Sequence, residues 1–372
     1  MKTENTTLNN FELNYPLEKI FPLSDILFLD IETTGFLSSS SYIYMIGCAF
    51  YYSGNWIVKQ FFAQDRDDEK AILEEFFDFA KGFSFLIHYN GNSFDLPFIK
   101  NRALKHDLPN TIDGMQGLDI YRRINTYRNL LKLPDCKLKT IEMFLDINRE
   151  DEYSGGELIE IYNEYTQSHD FSSYQTLLLH NSDDIKGMLE ILPILNYYDL
   201  FNSSVTATKV SGSVYPDMNG ITRKELTINI SFDGSLPHPL TFMGRGCYFK
   251  AAGNSGTLVV PIYEEELKFF YANYKDYYYL PLEDMALHKS VATFVDNEFR
   301  TPAKASNCYT RKLSEFLPQW SPLFTPFYKR DYGSTDLFFE LTDNLKKDRN
   351  AFSIYASHVI QAVALQKSDP LA

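Results

Sequence analysis

Ile26-Leu27-Phe28-Leu29-Asp30-Ile31-Glu32-Thr33-Thr34-Gly35 is a short apolar run that ends in two carboxylates, two threonines and a glycine. Its bulky apolar content reads as a buried strand, and in a strand residues two apart project from one face. Asp30 and Glu32 then stand side by side. Two carboxylates held that close repel each other, so a fold that keeps both ionised supplies a cation, and hard oxygen ligands favour Mg²⁺ or Mn²⁺. The competing reading is a strand end running into a polar turn, with both acids solvated. The rest of the chain decides between them.

Upstream, residues 1–22 read as a polar lead-in that contributes little core. Downstream, a serine-rich link leads to residues 42–62, two apolar and aromatic runs around Ser53-Gly54-Asn55, which predict an antiparallel hairpin. Residues 67–80 carry Ile72, Phe76, Phe77 and Ala80 at helical spacing behind an acidic first turn. Residues 83–89 form another short strand that ends in Asn90-Gly91-Asn92-Ser93-Phe94-Asp95, and a helix over 96–105 opens with Pro97. This places Asn90 and Asp95 at a strand-to-helix junction. The alternation is an α/β pattern, in which working groups collect beyond the carboxyl ends of strands.

Short helices are expected over 121–131 and 138–145, and Ser154-Gly155-Gly156 breaks the chain before an acidic helix over 157–165. Ser172-Ser173-Tyr174-Gln175 resembles a capping box for an apolar helix over 177–191. Inside that helix His180 and Asp184 are one turn apart and share a face with Leu177, Met188 and Ile191, whereas Asp183 points about 100° away. Taken alone, the pair reads as a core-edge histidine bonded to a nearby carboxylate. Residues 201–372 change character, with strand candidates at 224–232, 242–250, 256–262 and 267–271, a helix over 283–294 and a helix over 347–366. The expected organisation is a lead-in at 1–22, an α/β domain at 23–200 and an α+β domain at 201–372.

The 372 residues carry a formal net charge of −14, and 44% of them are hydrophobic, as in an ordinary globular protein. Residues 1–200 hold 17 Lys+Arg against 31 Asp+Glu, and residues 201–372 hold 18 against 18, so the acidity lies with the metal-ligand candidates. This excludes a protein that coats nucleic acid through a broad basic surface. Cys48, Cys136, Cys247 and Cys308 form no C-x-x-C pair, which predicts reduced thiols, no structural zinc and a cytoplasmic location. No apolar run approaches the length of a membrane span, so no membrane partner is expected.

Together, Asp30-Ile31-Glu32-Thr33-Thr34-Gly35, Tyr89-Asn90-Gly91-Asn92-Ser93-Phe94-Asp95 and His180-x-x-x-Asp184 resemble, in order and spacing, the motifs of the DEDD superfamily of 3′-to-5′ exonucleases. The second motif is similar to the form seen in proofreading domains of family B DNA polymerases. In the third, His180 occupies the place of a tyrosine, which leaves the identity of the catalytic base open. The segment 25–198 also looks like uncharacterised bacterial proteins of the YprB type.

The resemblance implies a ribonuclease-H-like mixed five-stranded sheet flanked by helices. It implies two Mg²⁺ or Mn²⁺ ions held by Asp30, Glu32, Asp95 and Asp184, and His180 acting on the attacking water. Thr33, Thr34, Asn90 and Phe94 become candidate substrate contacts, and the implied partners are 3′ ends of single-stranded DNA or RNA. The alternative is a nuclease-like scaffold that binds nucleic acid through its C-terminal domain, where Arg245, Lys250, Lys275, Arg311, Lys312, Lys329 and Arg330 could line a groove beside Tyr277, Tyr278 and Tyr279. The competing reading, favoured by the neutrality of that half, is an ordinary solvated surface.

Overall fold

The structure is a computed structural model that describes residues 1–148, 153 and 155–365. The chain divides into two compact units, Met1–Tyr198 and Asp199 onward.

The first unit is built on a six-stranded sheet. Its strands are β1 (Lys2–Leu8), β2 (Ile26–Thr33), β3 (Ile43–Tyr52), β4 (Asn55–Phe62), β5 (Phe85–His88) and β6 (Gln116–Asp119), in the spatial order β1-β4-β3-β2-β5-β6. From β1 to β2 the pairing is antiparallel, and β2, β5 and β6 run parallel. The hairpin turn between β3 and β4 uses positive φ at Ser53 and Gly54, the backbone that tight two-residue turns require. Helices α1 (Glu69–Ala80), α2 (Asp95–Lys105), α3 (Ile120–Asn125), α4 (Leu138–Phe144), α5 (Gly155–Ser168) and α6 (Phe171–Glu190) accompany the sheet, and α7 (Leu195–Asn202) follows. Leu27, Leu29 and Ile31 of β2 share one buried cluster with Phe76 of α1, Phe98 of α2 and Tyr162 of α5.

Four expectations need correction here. The polar lead-in contains β1, which pairs along its whole length with β4 and adds a sixth strand; its polar residues fit an edge position, and Tyr15 and Leu17 behind it are buried. The helix expected over 121–131 ends at Asn125. Gly155 and Gly156 open α5 and do not break the chain, while Ser154 lies outside the described residues. The cap of α6 is Asp170, whose carboxylate accepts from the Ser173 amide at 3.0 Å, two residues before the start of the expected box.

The second unit is mostly sheet. Its main strands are β7 (Thr206–Pro216), β8 (Thr222–Gly244) and β9 (Cys247–Phe270), and the strand candidates between 224 and 271 merge into the last two because they pair continuously across a bulged region. A small sheet holds β10 (Tyr277–Leu280), β11 (Met285–His288) and, after the short α8 (Lys289–Ala292), β12 (Thr301–Pro302). Next come β13 (Tyr309–Gln319), β14 (Phe327–Tyr328), β15 (Leu337–Glu340), α9 (Asp343–Lys347) and α10 (Arg349–Ala364). The larger sheet has the order β14-β15-β13-β9-β8-β7. The helix expected over 283–294 is cut to α8: Tyr277 to Leu280 pair with Met285 to His288, so hairpin closure outweighs helical propensity over the first part of the span. The last helix ends at Ala364, and Gln366 of the expected helix lies outside the described residues.

Three of the seven candidate groove cations have acidic partners. Arg311 pairs with Glu266 at 3.2 Å, Lys312 with Glu340 at 2.7 Å and Arg330 with Glu265 at 2.7 Å. Tyr277 stacks on Tyr271, and the Tyr279 hydroxyl donates to Asp284 at 2.6 Å, so these rings serve the small sheet.

Candidate active site

Asp30 lies on β2 opposite Gly47 of β3, and Glu32 follows at a β-bulge where the register of the two strands shifts. Bulges of this kind re-aim side chains at strand ends. Helix α6 packs across β2 and presents His180, Asn181 and Asp184. The His180 Nε2 atom stands 3.5 Å from Glu32 and 3.3 Å from Asp184. Asp95 opens α2 and its carboxylate accepts the Ile31 amide at 3.2 Å, which ties the third element to the residue between the two strand acids.

The carboxylates sense one another. Desolvation, followed by the charges of Glu32, Asp184 and Asp95, pushes Asp30 well above the usual carboxylate range; a hydrogen bond from Asn181 opposes the shift without cancelling it. Burial raises Asp95 to about 7, although the Ile31 amide lowers it, and the charges of Asp119 and Asp184 add to the rise. Among the described residues no lysine or arginine pairs with either group. One ligand atom each from Glu32, His180 and Asp184 lie within 4.8 Å of one another. An oxygen-rich donor set with uncompensated negative charge fits hard divalent cations.

Residues that the sequence did not single out hold Asp30 in place. Asn181 Nδ2 donates to Asp30 at 3.1 Å, and its Oδ1 accepts from Gln60 Nε2 at 3.0 Å. Gln60 also donates to the Leu178 carbonyl at 2.9 Å. Gly47 makes room for this amide: a Cβ there would sit 2.2 Å from Asn181 Oδ1. A glycine inside a bulky strand signals such a close approach.

The candidate substrate contacts divide. Thr34 is engaged by Tyr42 on both its amide, which donates at 3.0 Å, and its hydroxyl, which accepts at 3.1 Å, so it fixes the loop after β2. The Thr33 hydroxyl donates to the Gly35 carbonyl at 2.9 Å. Asn90 adopts φ 60°, a left-handed conformation that asparagine tolerates, and its amide donates to Asp119 at 3.0 Å. Phe94 packs partly into the core and makes an edge contact with Phe36, which is 86% exposed.

The sequence profile of the RNase_H superfamily matches residues 27–196. The first unit has the ribonuclease-H-like fold. Beside this ribonuclease-H-like unit, with its mixed sheet and flanking helices, the chain carries a second, sheet-rich unit. The family B DNA polymerase from the hyperthermophilic archaeon Pyrobaculum calidifontis is 20% identical over 47% of this chain and 25% of the polymerase, with a TM-score of 0.38. One structure of exonuclease I is 12% identical, with 61% of this chain and 55% of exonuclease I covered and a TM-score of 0.33. E. coli exonuclease I in complex with a dT13 oligonucleotide is 11% identical over 92% of this chain and 75% of that protein, with a TM-score of 0.32. The chain thus spans a quarter of the polymerase and about half of exonuclease I in the first of these two structures. No curated protein matches the chain. No helix among the described residues is long and apolar enough to cross a membrane.

Proposed function

We propose that the ribonuclease-H-like unit is a metal-dependent nuclease that hydrolyses phosphodiester bonds of single-stranded nucleic acid from the 3′ end. The observation that carries this reading is geometric: Glu32, His180 and Asp184 bring ligand atoms within 4.8 Å of one another, Asp30 lies two residues before Glu32 on β2, and Asp95 is tied to the Ile31 amide between those two acids. Four acids gathered around one histidine, with burial and mutual charge raising Asp30 and Asp95, form a donor set that a hard divalent cation would neutralise. Asp30, Glu32, Asp95 and Asp184 would hold two Mg²⁺ or Mn²⁺ ions. When bound, such ions neutralise phosphate oxygens and make water a better nucleophile.

The chain's own residues do the rest. His180 accepts the proton of the attacking water through Nε2 in its Nδ1-protonated form, in which Nε2 carries no proton and makes no hydrogen bond to Glu32 or Asp184, the carboxylates that flank it at 3.5 and 3.3 Å. Asn181 and Gln60 fix the direction of the Asp30 oxygens, and the Ile31 amide fixes Asp95. The edge-to-face pair Phe36 and Phe94 offers aromatic surface to a terminal base. The 3′-to-5′ direction rests on the likeness of the three motifs to those of DEDD exonucleases, and no group at the site reads the sugar 2′ position. Degradation of 3′-labelled and 5′-labelled DNA and RNA strands with Mn²⁺, Mg²⁺ or EDTA, comparing the wild type with Asp30→Asn, tests the proposal. Stepwise metal-dependent loss of the 3′ label that disappears in Asp30→Asn is expected. Absence of metal-dependent cleavage on every strand would turn the reading toward a nucleic-acid-binding scaffold.

A further inference from the structure

His88, the last residue of β5, is a buried histidine that the proposed chemistry does not use. The Gly91 amide donates to its Nδ1 at 3.1 Å, and a Cβ on Gly91 would collide with the ring at 2.7 Å, so only glycine allows this approach. A ring nitrogen that accepts a hydrogen bond carries no proton. In the neutral imidazole the proton is therefore on Nε2. Burial keeps the ring neutral by lowering its pKa, against the pull of Asp119.

That Nε2–H meets no acceptor among the described residues. Among the described residues the side-chain atoms sealed from solvent without a partner are Asp119 Oδ2 and Tyr165 Oη; His88 Nε2 is not one of them and so keeps contact with open space. The open space that His88 lines is a cavity of about 360 Å³. Its walls include Leu86, Leu96 and Met115 together with Asn101, Asn110 and the exposed Asn92, whose side-chain amide makes no hydrogen bond among the described residues. The two charged residues of the lining, Lys100 and Asp113, pair with each other at 3.1 Å. A cavity of this size, lined by apolar side chains and by polar ones that include His88, Asn92, Asn101 and Asn110, with its two charged residues paired, suits a neutral, flat ligand with hydrogen-bonding groups on its edge.

Its position separates it from the carboxylates. His88 is in parallel register with Leu29, and registered residues project from the same face, so Asp30 points to the opposite side of the sheet. The two places share one connection, the loop from Asn90 to Asp95, in which Asn92 lines the cavity and Asp95 turns to the Ile31 amide.

We propose that this cavity is a second subsite that takes a single unstacked nucleobase, with a base acceptor on His88 Nε2–H and the base edge on the Asn92 amide. The class of ligand rests on the nuclease reading, because a strand delivered to the carboxylates brings bases with it; a free nucleoside presents the same chemistry. Occupation of the subsite braces the loop that carries Asp95.

The test is calorimetric titration of the full chain in EDTA with adenosine, guanosine, cytidine, thymidine and a dT oligonucleotide, alongside the ¹⁵N signal of histidine Nε2. Asn92→Ala and the cavity-filling Met115→Trp are the variants, each checked for an unchanged unfolding transition. Saturable binding is expected, weakened up to about tenfold in Asn92→Ala, the loss of one hydrogen bond, and abolished in Met115→Trp. Binding of the oligonucleotide alone, with the same variant pattern, names the strand as the source; binding of nucleosides names free ligand as a source. No binding at millimolar concentration, or binding indifferent to both variants, overturns the proposal. Metal-dependent cleavage without binding in EDTA leaves the nuclease reading standing and removes the subsite, and binding without cleavage does the reverse.

Discussion

Substituting Gly47 by alanine tests how Asp30 is positioned. The added Cβ would lie 2.2 Å from Asn181 Oδ1 and 2.7 Å from its Nδ2, so the amide must leave its place. Overpacking of a buried site costs about 1–3 kcal/mol. The displaced amide also loses its 3.1 Å bond to Asp30, and a hydrogen bond to a charged group is worth about 1.5–3 kcal/mol. A net loss of roughly 3–5 kcal/mol follows, which lowers Tm by roughly 10 °C for a unit of this size. Nuclease activity should fall at least tenfold, since a misplaced reacting group of about 1 Å costs about a hundredfold. The assay is a double-mutant cycle with Asn181→Ala, read by denaturant unfolding of the full chain. With the amide already removed, Gly47→Ala meets open space and should cost little, so the two substitutions are coupled by about 1–3 kcal/mol. If Gly47→Ala destabilises both backgrounds equally, the steric account is wrong.

Three further outcomes follow from the geometry. Asp30 and Asp95 have folded pKa values raised above the unfolded ones, so their contribution favours folding at low pH and is lost as pH rises through the folded values, about 7 for Asp95; in EDTA the protein should therefore lose stability between about pH 4 and pH 8, Asp95→Asn should flatten that slope, and the Tm gain on adding Mn²⁺ should grow over the same range. Glu69 is buried and accepts from the Ile43 amide at 2.8 Å, Arg102 Nε at 2.7 Å and His106 Nε2 at 2.7 Å; Glu69→Ala strands a buried guanidinium and should cost about 3–5 kcal/mol in urea unfolding. His180→Gln should slow cleavage by about 10²–10⁴ while Mn²⁺ still raises Tm, and equal loss of both would make His180 chiefly a ligand.

Reading the chain alone went furthest where chemistry is local. The pairing of Asp30 with Glu32 follows from a period of two, and the meeting of His180 with Asp184 from a period of 3.6. The turn at Ser53-Gly54 and the alternation of strands and helices through residue 105 are local as well. Local signals misled where pairing partners compete with propensity: β1 is polar because it is an edge strand, and β11 is a strand only because β10 lies beside it.

The sequence by itself determined the kinds of donor, carboxylates with one histidine, and the likeness of three motifs to a nuclease family. Only the tertiary structure decided that Gly47, Gln60 and Asn181 form the support of Asp30, that Thr34 bonds to Tyr42, and that His88 and Asn92 line one cavity. The reason is that a hydrogen bond between residues 151 positions apart, such as Asn181 to Asp30, depends on which elements pack together. No spacing along the chain encodes that contact.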